Sequence, residues 1–104
     1  TLVTPSANDS GVYFNDGSNA GALTYQHADN SMRFRVNSTE KVRITSAGLV
    51  GIGDNSPDRE LVVKNASSNS TIKIEAANTH TSQLFFSDLQ TPTYSLFLTF
   101  ICDM

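Results

Sequence analysis

Alternation of apolar and charged residues limits what this chain can become. Met32-Arg33-Phe34-Arg35-Val36 places Met, Phe and Val on one side of an extended segment and both arginines on the other. Lys41-Val42-Arg43-Ile44-Thr45 repeats the scheme with Val42 and Ile44 inward, and Thr71-Ile72-Lys73-Ile74-Glu75 repeats it with Ile72 and Ile74 inward. Val12-Tyr13-Phe14, Leu61-Val62-Val63-Lys64 and Leu84-Phe85-Phe86 read as further short strands. Turn-forming residues separate them: Asn15-Asp16-Gly17, Ala28-Asp29-Asn30, Ser46-Ala47-Gly48 and Asn55-Ser56-Pro57. Many short strands at this spacing predict an all-β chain. One helical turn competes at Asp58-Arg59-Glu60-Leu61, with Ser56 as N-cap and Pro57 at the first helical position.

The composition then argues about how such strands are held. There are 13 Ser, 11 Thr and 9 Asn among 104 residues, about a third of the chain. Each strand carries only two or three apolar side chains, worth ~1.5–3 kcal/mol apiece on full burial, against ~1–2 kcal/mol per residue to order the backbone. A single copy is marginal on that count. Assembly around a symmetry axis would set the narrow apolar stripes against each other and cover the strand edges, which favours an oligomer. The alternative is a small β-sandwich acting alone, as a carbohydrate-binding module would. Ser10–Asp16 and Ser82–Asp88 also share an apolar-aromatic-Phe core followed by a polar residue and Asp, a weak internal repeat.

Composition also excludes several classes. A net charge of −3, with seven Lys and Arg scattered along the chain, is no footprint for nucleic acid. One cysteine rules out an intrachain disulfide framework and a Cys-cluster zinc site. Tyr94–Cys102 is strongly apolar but too short for the ~20 residues of a membrane span. It is expected to be buried against copies of itself, with Cys102 an unreactive apolar thiol. The first residues show neither a Met nor the charged and apolar blocks of a signal peptide, as expected of a fragment or a processed product.

Candidate chemistry is thin. His27 and Asp29 with a serine can be drawn as a hydrolase site, but no nucleophile-elbow pattern surrounds any Ser. His27, Asp29 and Asp16 offer metal ligands without a recognised spacing. Gly48-x-x-Gly51-x-Gly53 lacks the third glycine and the helix that a dinucleotide fingerprint needs. Four N-x-Ser/Thr sequons, at Asn8, Asn37, Asn65 and Asn69, are a mild excess set by composition. No pair of carboxylates suits glycan hydrolysis. The expectation is a chain with no catalytic residue, cofactor or metal.

The stretch from Arg43 to Val63 is the most informative. Arg43-Ile44, Gly48, Val50-Gly51-Ile52-Gly53, Pro57, Leu61 and Val63 stand at the spacing R-I-x-x-x-G-x-V-G-I-G-x-x-x-P-x-x-x-L-x-V. This resembles the shaft repeats of bacteriophage tail fibres and tail spikes, of the type found upstream of endosialidase-type intramolecular chaperone domains. The likeness spans roughly residues 11–88; Leu49 and Asp54 depart from the commonest residues, and 91–104 lie outside it.

The resemblance implies an elongated, intertwined, homotrimeric β-rich shaft on a virion or extracellular surface. Such a shaft supports host attachment, with stacking into a longer fibre left open; the density of Asn, Ser and Thr makes a cell-surface glycan a candidate partner, and no apolar run is long enough for membrane insertion. On that reading residues 1–10 are an extension or linker, 11–90 the shaft segment and 91–104 a hydrophobic end of unknown role. Phe14, Phe34, Ile44, Ile52, Leu61, Ile72, Ile74 and Phe86 would pack along the axis. Gly48 would serve a turn, Gly51 and Gly53 would sit where chains cross, and Pro57 would fix the exit turn.

Overall fold

The computed structural model describes residues 8–86. The chain divides into two compact units between Ile72 and Lys73, and all the strands fall in the first. They are β1 (Asp9–Phe14), β2 (Gly21–Gln26), β3 (Ser31–Val36), β4 (Thr39–Ile44), β5 (Val50–Ile52) and β6 (Leu61–Val63). They lie side by side in chain order as one six-stranded sheet. β1 to β5 are antiparallel neighbours and β6 runs parallel to β5. The chain is all-β, and no helix occurs among the described residues. Residues 58–60, a candidate helical turn, form a bent loop, and Leu61 already opens β6.

Local chemistry explains the hairpins. β3 and β4 are joined by Asn37-Ser38, whose φ angles of 51° and 59° are both left-handed. A two-residue turn needs that geometry to match the strand twist, and Asn accepts it more readily than Ser. The Ser38 N–H donates to the Ala20 carbonyl at 2.8 Å, tying the turn to the loop before β2. Between β4 and β5, the Gly48 N–H bonds to the Thr45 carbonyl and the Thr45 N–H to the Leu49 carbonyl, both at 2.9 Å. A bulge in β4 opposite Phe34/Arg35 moves Glu40 into register with Arg35.

The parallel pair β5–β6 is the tightest piece of construction. Parallel neighbours usually need a crossover of about a dozen residues or more, and here residues 53–60 suffice. The chain reverses at once through Gly53, at φ 74°. A side chain there would run into the Lys64 carbonyl. The loop then passes beneath Gly51, where a Cβ would meet the Asp54 carbonyl oxygen and lie 3.4 Å from Pro57 Cδ. Pro57 is buried in that turn. The Val50 N–H bonds to the Glu60 carbonyl and the Lys64 N–H to the Ile52 carbonyl, each at 2.9 Å. The close approach at Gly51 and Gly53 is met by backbone of the same chain; the chain crossing that the resemblance implies there concerns contacts between copies.

Two expected strands are missing. Residues 71–75 and 84–86 carry no strand although their sequences alternate or run apolar. A strand exists by its ladder of backbone hydrogen bonds, and among the described residues no backbone partner reaches 71–75. Ser82–Phe86 likewise does not repeat the role of β1, and Ser87-Asp88 lie outside the described residues, as do 91–104 with Cys102. β1 starts at Asp9, so residues 9 and 10 belong to the sheet and not to a linker.

Gly51→Ala and Gly53→Ala should each destabilise the sheet, by about 1–3 kcal/mol for the steric overlap at Gly51 and at least as much at Gly53, where a left-handed φ adds ~1–2 kcal/mol. Urea titration followed by far-UV circular dichroism measures both. Wild-type midpoints in either variant would show that the loop has room to move.

Candidate functional site

The register of the sheet sorts its side chains into rows. Val12, Leu23, Phe34, Val42, Ile52 and Val63 are successive cross-strand partners through all six strands. A parallel row runs through Ser10, Tyr25, Met32, Ile44, Val50 and Leu61. Because side chains alternate at period 2, both rows face the same way. The result is an apolar face that the described residues leave open. Leu23 is 38% exposed, Phe34 40%, Ile52 42%, Leu61 58% and Phe14 66%. Gly21 leaves a gap beside Phe14, and a hollow of about 590 Å³ opens there among Phe14, Leu23, Phe34 and Val36.

Among the described residues Ala22 and Pro57 are the buried apolar side chains; the other deeply buried ones are the small polar Ser10, Thr24 and Ser31. The layout is the reverse of a globular domain, whose large apolar residues are inside. Of the residues expected to pack along an axis, Phe14, Phe34, Ile44, Ile52 and Leu61 share this face. Ile72, Ile74 and Phe86 lie outside the sheet, 67%, 46% and 46% exposed. Gly48, Gly51, Gly53 and Pro57 serve the turns around β5.

The opposite face is finished by its own charges. Arg33 and Arg43 stand directly across from each other on β3 and β4, an unfavourable like-charge pair if left alone. Two carboxylates resolve it. Asp29 lies 2.5 Å from Arg33 and 3.8 Å from Arg43. Glu40 lies 2.5 Å from Arg43 and 3.7 Å from Arg33. Arg43 also donates to the Asn55 carbonyl at 3.1 Å, joining the ring of charges to the β5–β6 loop. Ser31 sits at the centre: its hydroxyl donates to Asp29 at 2.6 Å and accepts from Arg33 Nε at 2.9 Å.

These contacts hold the Asp29 carboxyl below its ordinary value of 3.8, first through the Ser31 hydroxyl, with lost solvation opposing and Arg33 assisting. The hydrogen bonds from Arg43 to Glu40 raise the guanidinium above its ordinary range. The four-charge ring was not foreseen in the sequence. The period-2 placement of Arg33 and Arg35 was legible, but the partner carboxylates come from a turn and from the far side of a bulge.

The other candidate chemistry is rearranged. His27 Nε2 is 2.9 Å from Ser10 Oγ, and its ring meets Tyr25 edge-on at 5.0 Å. Asp29, drawn beside His27 in the sequence, gives its oxygens to Ser31 and Arg33 instead. Asp16 accepts from Ser18 at 3.2 Å. Among the described residues no three His, Cys, Asp or Glu side chains gather in a way that would hold a metal ion. A smaller polar hollow of about 310 Å³ lies among Thr39, Glu40, Lys41, Asp54, Asn55 and Lys64. No protein-family model matches the chain, and no curated protein matches it.

The lowered Asp29 value fixes a sign for acid stability. A carboxyl that titrates lower when folded stabilises the fold above its unfolded value, and that contribution is lost as pH falls through the folded one. Melting temperature should hold from pH 7 to about 5 and decline below about 4. Asp29→Asn should melt lower at neutral pH and show a shallower decline in acid. An unchanged acid limb in that variant would assign the sensitivity to other carboxyls.

Proposed function

We propose that this chain is a shaft segment of a phage tail fibre or a similar adhesive appendage. It acts as a structural part that supports host attachment, with no catalytic role. In this reading three copies form an intertwined, elongated β-rich fibre on the virion or extracellular surface, and such units stack into a longer one.

The observation that carries the reading is the open apolar face. Six strands present two rows of side chains, all apolar or aromatic but Ser10, of which seven are 37–58% exposed. Covering what remains of each would return about 1 kcal/mol per side chain. At ~4.8 Å between strands and ~3.3 Å per residue, the sheet is about 24 Å wide and about 20 Å long across β1–β4, narrowing to about 10 Å across β5 and β6. A face of that size is ~400 Å² in plan, about half of the ~800 Å² that each partner contributes to a stable interface, and side-chain relief adds to it. Copies of the same chain supply such a cover in register, and threefold symmetry lets every copy cover and be covered. The opposite face, already neutralised by its own ion pairs, suits the solvent side. The spacing from Arg43 to Val63 supports the same reading.

Light scattering with negative-stain images decides it. A mass three times the 11.3 kDa chain, in elongated particles, is the expected outcome. Phe34→Asp with Ile44→Asp should lower that mass to a single chain, because two carboxylates cannot be buried on a face of this kind. A compact wild-type monomer of 11.3 kDa would overturn the proposal.

A further inference from the structure

Thr71-Ile72-Lys73-Ile74-Glu75 is written as a strand and is not one in the single chain. Its alternation is as strict as that of β3, with Ile72 and Ile74 on one side and Lys73 and Glu75 on the other. Lys73 and Glu75 pair with each other, as i, i+2 neighbours on one side of an extended segment do. The isoleucines are exposed, and among the described residues no backbone hydrogen bond reaches the segment. Among the described residues it has no neighbouring edge.

The sheet has two edges. β6 is three residues long, too short for this segment. β1 is six residues long and, among the described residues, has β2 on one side only, with the stretch from Gly11 to Phe14 available on the other. Val12 and Phe14, two residues apart on β1, are 50% and 66% exposed on the apolar face. Ile72 and Ile74 have the same spacing. Laid beside β1, they would extend the apolar rows by one strand, while Lys73 would fall on the polar face beside Tyr13.

We propose that residues 71–75 of one copy add to the outer edge of β1 in a second copy, forming a seventh strand of that copy's sheet. The inference rests on the self-assembly proposed above and names the exchange that stitches copies together. Added to an edge, a strand gains main-chain hydrogen bonds, while its alternate side chains fix the register. The same step removes an open edge that would otherwise invite uncontrolled pairing.

Single-cysteine chains test it, with Cys102→Ser in every chain so that only introduced thiols react. A Val12→Cys chain is co-expressed with an Ile72→Cys chain or with an Ile74→Cys chain, then oxidised mildly. Directly opposed residues on paired strands lie within disulfide reach. One of the two combinations, set by parallel or antiparallel pairing, should give severalfold more Val12-to-segment crosslink, identified by peptide mass, than a Lys73→Cys partner facing the other way.

As a second measurement, Lys73→Pro in the full chain should reduce assembly while far-UV circular dichroism retains the sheet. Light scattering on the same samples separates the two proposals. Oligomers lacking both crosslinks, with Lys73→Pro unchanged in mass, overturn the strand exchange and leave the shaft standing. Monomers throughout overturn both.

Discussion

The cross-strand register is the constraint on which everything else in this molecule depends. Each pairing from β1 to β6 places an apolar residue opposite an apolar residue, so a slip of one position anywhere would turn that strand's Val, Ile or Phe toward the arginines. The turns are built to prevent that slip. Asn37-Ser38 takes two left-handed residues to keep the β3–β4 hairpin tight, and the β4 bulge moves one residue, Glu40, to the side where Arg33 and Arg43 need it. Without the bulge, Glu40 would share the face of Val42 and Ile44, and the two arginines would oppose each other with one carboxylate between them.

Fixing the register this firmly creates a sheet whose two faces carry opposite demands. The charged face is largely satisfied from within: Asp29 and Glu40 pair with Arg33 and Arg43, and Thr24 and Ser31 are buried, while Gln26 Oε1 is buried there without a hydrogen-bond partner. The apolar face is left uncovered by the described residues. Its side chains are too many and too contiguous to be scattered surface residues, and contiguous apolar patches of this kind mark sites of interaction. On the proposed reading, stability and assembly are one problem, since the hydrophobic contribution that a globular domain gains by closing on itself would come from contacts between copies.

Much of the sheet was legible because period-2 alternation reports directly on which side of a strand a residue faces. Phe34, Val42, Ile44 and Ile52 share a face as their spacing implied, and the turns at Asn15–Gly17, Ala28–Asn30 and Ser46–Gly48 fall between strands. The same signal misled at residues 71–75 and 84–86, because alternation states what a strand would bury and not whether an edge is present to pair with it. The parallel step from β5 to β6 was illegible for a related reason: residues 53–60 are shorter than such a connection normally is. The charge ring escaped because its members, Asp29, Arg33, Glu40 and Arg43, are brought together by a turn and a bulge, neither of which leaves a fixed spacing in sequence.

The Gly-Ile-Gly segment shows how one stretch of sequence meets two demands. Ile52 belongs to the apolar row between Val42 and Val63, while its neighbours have no side chains because their backbone is crowded from the other side. Gly51 gives up its polar-face position to the Asp54 carbonyl and Pro57, and Arg43, directly across from it, closes the loop through Asn55. Pro57 four residues beyond Gly53 follows from the need to bring the chain back beneath β5 before Leu61 can pair. The spacing of this motif therefore encodes an intrachain return that adds a sixth strand to the apolar face. Within one chain, a wider apolar face is what these glycines make room for.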